Sequence, residues 1–388
     1  MAWPSHHMER IPASGTLKMF DLANKLEAEG KKVYHFEVGQ PDFDTPANIV
    51  KAAKDALDAG HTRYLSARGH PPLRKAIADV YADRGMDFDP EQQVVVTPGA
   101  KMALFGAILS TIDRGDDVLI LAPAWPTYRV LTRTAGGIPI DVSTDSDYRL
   151  DRESLKTALN KDVRGLVINS PNNPTGGVIN KDDLRFIHDL AIDHDIVVFS
   201  DEIYEELVFD GFEQPSMLEI DPALQHTVII NGFSKAYAMT GWRLGYAIGN
   251  AVTIDNMVRI QQNTTSCAAS FVQYAGVEAL EGDQSGIDQM RAEYQKRRDR
   301  IIDIFYSMEG VDCVNPAGAF YVFPDFSHYG ISSATLAEML LLKAGVTSVP
   351  GTVFGTDYDS NLRFSFATSM DVIEEGLTKV NKYLQTLM

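Results

Sequence analysis

Val228-Ile229-Ile230-Asn231-Gly232-Phe233-Ser234-Lys235 decides the fold. Its β-branched opening is too short for a helix and apolar on both faces, which predicts a strand covered by helices on both sides. A glycine-bearing turn that ends in a lysine follows. The pattern recurs upstream. Val94-Val95-Val96 runs into Thr97-Pro98-Gly99-Ala100-Lys101, and Val118-Leu119-Ile120-Leu121 runs into Ala122-Pro123-Ala124-Trp125-Pro126. Leu166-Val167-Ile168 precedes Ser170-Pro171-Asn172-Asn173-Pro174-Thr175-Gly176, Ile196-Val197-Val198-Phe199 precedes Ser200-Asp201-Glu202-Ile203-Tyr204, and Tyr246-Ala247-Ile248 closes the series. Longer amphipathic stretches alternate with these runs between about residues 48 and 250, the pattern of an α/β layer fold. In open α/β sheets ligands bind beyond the carboxyl ends of the strands. Five strand ends therefore bring polar, aromatic and glycine residues to one rim.

The chain has 388 residues, 45% of them hydrophobic and 23% charged, the balance of a soluble globular protein. At roughly 100–200 residues per domain, two domains are expected. With 35 Lys and Arg against 53 Asp and Glu the net charge is -18, which repels a phosphate backbone, so nucleic acid and anionic membrane are expected non-partners. Cys267 and Cys313 form neither a CxxC pair nor a disulfide framework and fit a reducing compartment. No thiolate zinc site is expected. The segment Met1 to Arg10 lacks an apolar core of the signal-peptide type, and no run is long enough for a membrane span, so a cytoplasmic location is expected. His6-His7, in a polar terminal segment, reads as inert.

Beyond residue 282 the pattern changes. A long helix is predicted from about Asp283 to Met308, with Ile301, Ile302, Ile304 and Phe305 toward a core. Gly318 to Phe323 and Leu362 to Phe366 alternate as strands around a helical Thr335 to Lys343. The division predicted is residues 1–47 packing on a small domain, 48–282 as the large domain and 283–388 as a smaller α+β domain.

Lys235 stands eight residues before Arg243, at a strand end where a ligand would bind. A lone lysine is ordinarily a solvated surface charge, but a desolvated amine with a lowered pKa can form a Schiff base. Asp201 ends another strand and, alone, reads as a helix cap. Paired with Lys235 it has a sharper role, because pyridoxal phosphate needs a lysine for its aldehyde and a carboxylate for its pyridinium nitrogen. Tyr204 faces away from Asp201 if the strand continues and reaches the same site only if the chain has already turned.

Residues 232 to 245 resemble the lysine signature of class I aminotransferases, fold type I enzymes that use pyridoxal 5′-phosphate. The resemblance extends through Val38 to Phe43, Ser170 to Gly176, Asp201 to Tyr204 and Asn361 to Ser365, in the family's order. For the fold it implies a large α/β domain with a mostly parallel seven-stranded sheet between helices, plus the smaller α+β domain. For the site it implies that Lys235 carries the cofactor and moves the proton at the substrate α-carbon, and that Asp201 pairs with the ring nitrogen. Tyr204 and Asn173 would bond the ring oxygen. Gly99, Ala100 and Lys101, at a helix start, would hold the phosphate together with Arg243. The family often has a hydroxyl residue where this chain has Gly232, and Ser234 is a possible substitute. Trp125 would lie against the ring, and Tyr64 would reach the phosphate of a neighbouring subunit, so that a homodimer shares its active sites.

The same resemblance places the substrate α-carboxylate on Arg363, through two parallel hydrogen bonds, with Gly39, Trp125 and Asn173 beside it. Thr16 and Lys101 match positions that contact a distal carboxylate in a bacterial and archaeal aspartate aminotransferase branch. The expected function is transfer of an amino group from an L-amino acid, best aspartate, to a 2-oxoacid, best 2-oxoglutarate, by a ping-pong cycle. Alternatives of the same fold are aromatic, alanine or broad-range aminotransferases and a C–S β-lyase. A cofactor-sensing regulator is disfavoured by the absence of a basic helix-turn-helix segment, and a dinucleotide-binding dehydrogenase by the absence of GxGxxG after a strand.

Overall fold

The computed structural model describes Met8, Ile11 and residues 15 to 387. His6-His7 and the side chain of Thr16 lie outside the described residues. Seven strands form the larger sheet: β1 (Val94–Thr97), β2 (Asp117–Ala122), β3 (Ile138–Ser143), β4 (Val163–Asn169), β5 (Val197–Asp201), β6 (Thr227–Gly232) and β7 (Gly245–Ile248). Their order is β1-β7-β6-β5-β4-β2-β3, and only β7 runs antiparallel to its neighbours. The mostly parallel sheet is thus present.

Alternate residues of each central strand feed opposite cores. Val94, Val96, Leu166, Ile168, Val198 and Ile229 enter one apolar cluster, while Val95, Val167, Phe199, Val228 and Ile230 enter another. This two-sided burial is why the runs are apolar throughout. The strand that the apolar pattern does not reveal is β3, at the sheet edge. Ile138 is half exposed, only Val142 is buried, and Pro139 stands where an edge strand tolerates a missing N–H donor.

A second sheet has the order β8-β10-β9, from β8 (Tyr321–Val322), β9 (Val349–Pro350) and β10 (Leu362–Ser365). The strand expected over Gly318 to Phe323 shrinks to two residues. Its upstream backbone is engaged elsewhere, with the Gly318 N–H bonded to the Gly176 carbonyl at 2.9 Å and the Ala319 N–H to that of Leu207 at 2.8 Å. The Ser285–Tyr306 helix buries Ile301, Ile302 and Phe305, whereas Ile304 is only partly buried. Met19, Ala23, Leu26, Tyr34 and Phe36 join the same core as Phe364 and Leu377. Tyr34 to Glu37 also run between two segments beside the small sheet, with the Ser365 N–H bonded to the Phe36 carbonyl at 2.8 Å and the Thr347 N–H to that of Tyr34 at 2.9 Å. No described helix is long and apolar enough to cross a membrane.

Candidate active site

Glycines shape the floor of the site where β1 passes into the Ala100–Thr111 helix. Gly99 caps that helix at φ +85°, and a Cβ there would collide with the Arg243 guanidinium. The free N–H groups of the helix start and the Arg243 charge thus share one corner, an anion-binding arrangement. Arg243 is held by an Nη1 bond to the Thr240 carbonyl at 2.7 Å. A side chain at Gly232 would bring its Cβ to 2.9 Å from Gly245 Cα, so a hydroxyl residue would push β6 away from β7.

A cavity of about 540 Å³ opens beyond the strand ends. Ala100, Lys101, Trp125, Asn173, Asp201, Tyr204, Ser234, Lys235, Arg243, Arg363 and Gly39 all line it. Its charged lining comprises the cations Lys101, Lys235, Arg243 and Arg363 and the carboxylate Asp201. On a chain of net charge -18, that local excess of positive charge selects for an anionic occupant.

Asp201 ends β5 and is 5% exposed. Its Oδ2 accepts the Tyr128 hydroxyl at 2.7 Å and its Oδ1 the Ile203 N–H at 3.2 Å. Burial pushes its carboxyl up to about 6, against the pull of those donors and of Lys235. Lys235, just past β6, donates from Nζ to the Gly39 carbonyl at 2.5 Å. Burial, and then the Arg363 charge, push its amine down to about 7 despite Asp201. An amine there is half neutral near pH 7 and can act as nucleophile and base.

After Asp201 the chain turns, and the turn carries Tyr204 to the same cavity rather than to the opposite face of a strand. The Tyr204 hydroxyl lies 2.9 Å from that of Tyr321, and its ring lies 5.6 Å from Lys235 Nζ. Arg363 comes from β10. Its Nη1 donates to Asn173 Oδ1 at 3.0 Å and its Nη2 to the Glu37 carbonyl at 2.6 Å, while the buried Nε has no partner among the described residues. Nη1 and Nη2 each keep a second N–H, so the guanidinium, which lines the cavity, is suited to an incoming carboxylate. Lys101 Nζ stands 4.9 Å from the Trp125 ring centroid, and burial together with Arg243 lowers its pKa.

Tyr64 does not join this cavity. It is 87% exposed, in a separate groove with Arg63, Cys267 and Phe271. The site also holds residues that sequence reasoning missed. Tyr128 bonds Asp201, Asn169 donates from Nδ2 to the Asp201 carbonyl at 2.9 Å and accepts the Asn173 N–H at 2.9 Å, and Tyr321 bonds Tyr204. The available signal for Tyr128 was its place three residues past Trp125, at the start of the helix that follows the β2 strand end. Nothing local marked Tyr321. Among the described residues no cluster of potential ligands could hold a metal ion.

A family model described as aminotransferase class I and II matches residues 31–380. The chain is 36% identical over 386 residues to an aromatic-amino-acid aminotransferase 2 of Thermococcus litoralis, and 37% identical over 386 residues to an aspartate aminotransferase of Pyrococcus abyssi. Each alignment covers 98% of both chains. Among solved structures, the Thermus thermophilus aspartate aminotransferase with maleate superposes with a TM-score of 0.93 at 36% identity, covering 98% of this chain and 100% of that one.

Proposed function

The chain belongs to the aminotransferase class I and II family, and from that premise we propose a pyridoxal 5′-phosphate-dependent enzyme that moves the amino group of L-aspartate to 2-oxoglutarate in a ping-pong cycle. The observation that carries this reading is the meeting of Lys235 and Asp201 in one cavity whose other charged lining is cationic. The donor set fits the cofactor. Arg243 and the N–H groups after Gly99 suit a phosphate, Asp201 a ring N–H, and Tyr204 and the Asn173 amide a ring oxygen. Ser234 lies on the same wall, and Trp125 offers a flat apolar face. Bound there, the cofactor supplies an electron sink for the charge left when the substrate α-proton departs.

The protein does the rest. Lys235 Nζ, neutral in part near pH 7, would hold the cofactor and, once freed, would accept and return the substrate α-proton. Arg363 grips the α-carboxylate through the second N–H groups of Nη1 and Nη2, with Gly39 beside it. Lys101, unpaired with any carboxylate among the described residues, meets the distal carboxylate together with Thr16. Tyr64, exposed on a separate groove, reaches the phosphate of a second subunit, so the enzyme works as a homodimer. Residues 283–388 are read as a small domain, with the N-terminal segment packing on it, beside the large cofactor-binding domain of 48–282. Two cysteines outside any disulfide suit a cytoplasmic setting.

A second reading, an aromatic donor, is favoured by the indole face of Trp125 and by the name of the Thermococcus relative. Measuring kcat/KM for aspartate, phenylalanine, tyrosine and alanine with 2-oxoglutarate separates the two. An aromatic donor that beats aspartate by more than about tenfold, roughly 1.4 kcal/mol, overturns the aspartate reading. Pyruvate release from cystathionine without an acceptor would instead indicate the C–S lyase.

A further inference from the structure

We propose that Tyr321 is a positioning residue that couples the two ends of the site, orienting the hydroxyl of Tyr204 on one side and the guanidinium of Arg363 on the other. The inference rests on the reading of Tyr204 as a ring-oxygen donor and of Arg363 as the carboxylate clamp.

Tyr321 is 1% exposed and opens β8, paired with Ser365 two residues beyond Arg363 on β10. Three features meet on its side chain. Its hydroxyl lies 2.9 Å from the Tyr204 hydroxyl, and the two rings stand edge to face, 5.9 Å apart at 82°. Arg363 Cζ lies 4.5 Å from its ring centroid. The hydroxyl also abuts Gly39 so closely that a Cβ there would come within 2.6 Å of it, and the Gly39 carbonyl is the one that accepts the Lys235 amine.

Either hydroxyl can donate across the Tyr204–Tyr321 contact, and one of the two directions serves a ligand. A phenol has one hydrogen to donate and lone pairs to accept with. When Tyr321 donates to Tyr204, the Tyr204 hydrogen is released for a ligand in the cavity, and a chain of two donors is stronger at its end than a single phenol. The same ring, with Arg363 Cζ 4.5 Å from its centroid, limits rotation of a guanidinium whose Nη1 and Nη2 each make one bond and keep a second N–H for a carboxylate. The hydroxyl thus serves the ring-oxygen end and the aromatic face serves the carboxylate end.

Substitutions separate the two tasks. Tyr321→Phe removes the hydroxyl and keeps the face, whereas Tyr321→Leu removes both. In cofactor-loaded enzyme, the pH midpoint of the cofactor absorbance change is expected to rise by about 0.5–1 unit in both variants. The KM for aspartate should stay within about twofold of the parent in Tyr321→Phe and rise about tenfold in Tyr321→Leu. An unmoved midpoint in Tyr321→Phe, or equal KM increases in the two variants, overturns the proposal. Should Tyr321→Leu fold poorly by thermal unfolding, the midpoint of Tyr321→Phe decides alone. Tyr204→Phe and Arg363→Lys are run alongside. If Tyr204→Phe leaves the midpoint in place or Arg363→Lys leaves KM in place, the reading of the site falls and this inference with it. If both respond while the Tyr321 variants are silent, the inference alone falls.

Discussion

Arg363, on the middle strand of the small sheet, donates through Nη1 to the side-chain oxygen of Asn173, in the loop after β4, at 3.0 Å. The bond links the small sheet to the loop after β4 in the wall of the cavity. Arg363→Lys keeps the charge but loses the planar fork. We expect KM for both amino acid and oxoacid to rise at least about tenfold, while Asn173→Ala produces a smaller rise in KM, measured by steady-state kinetics on both half-reactions.

Among the described residues, Lys235 is the only amine in the cavity that also lies beside Asp201 and the Gly39 carbonyl. Lys235→Ala should lower kcat by about 10³-fold or more and remove the absorbance of enzyme-bound cofactor. A variant with turnover within about tenfold of the parent would refute the assignment.

Tyr128 supplies one of the two hydrogen bonds that hold Asp201 in its charged form. Removing a bond to a buried carboxylate is worth about 1.5–3 kcal/mol. Tyr128→Phe should therefore raise the Asp201 pKa further and weaken cofactor binding about tenfold or more, read by equilibrium dialysis against pyridoxal phosphate.

The stability of cofactor-free enzyme should depend on pH in two opposed ways. The Lys235 amine lies near 7 when folded and at 10.5 when unfolded. Between these values the unfolded chain holds the proton, so stability rises with pH. Asp201 runs the other way, with about 6 folded against 3.8 unfolded, so stability falls as pH rises from 3.8 to 6. Thermal unfolding should show Lys235→Met above the parent by about 2–4 °C or more below pH 7, the gap closing toward pH 10.5. Asp201→Asn should gain on the parent as pH rises from 3.8 to 6 and keep that gain above it.

Lys101 stands at the cavity edge against Trp125. Lys101→Ala should cut kcat/KM for aspartate about tenfold while changing that for alanine less than about threefold. Equal losses for both donors would move Lys101 from the distal carboxylate to the phosphate.

Much of this molecule is legible along the chain because a parallel strand buried on both faces must be apolar throughout. The runs at Val94, Val118, Leu166, Val197 and Val228 announce themselves in this way, and each is followed by a polar or glycine turn that the sheet topology carries to one rim. β3 does not announce itself, because an edge strand with Ile138 half exposed and Pro139 tolerated carries no such signal. The two-residue strands β8 and β9 are likewise too short for any period to register.

The sequence by itself determined the apolar strands and the polar turns at their ends, since those depend on local patterns of composition and spacing, and its motifs carried the resemblance to the aminotransferase family. Only the tertiary structure decided that Tyr204 turns into the cavity, that Tyr64 stays out of it, and that Tyr128 and Tyr321 hold Asp201 and Tyr204 in place. The reason is physical. A hydrogen bond between side chains 73 or 117 positions apart is set by how sheets and loops pack, and neither partner's neighbours in the chain encode it.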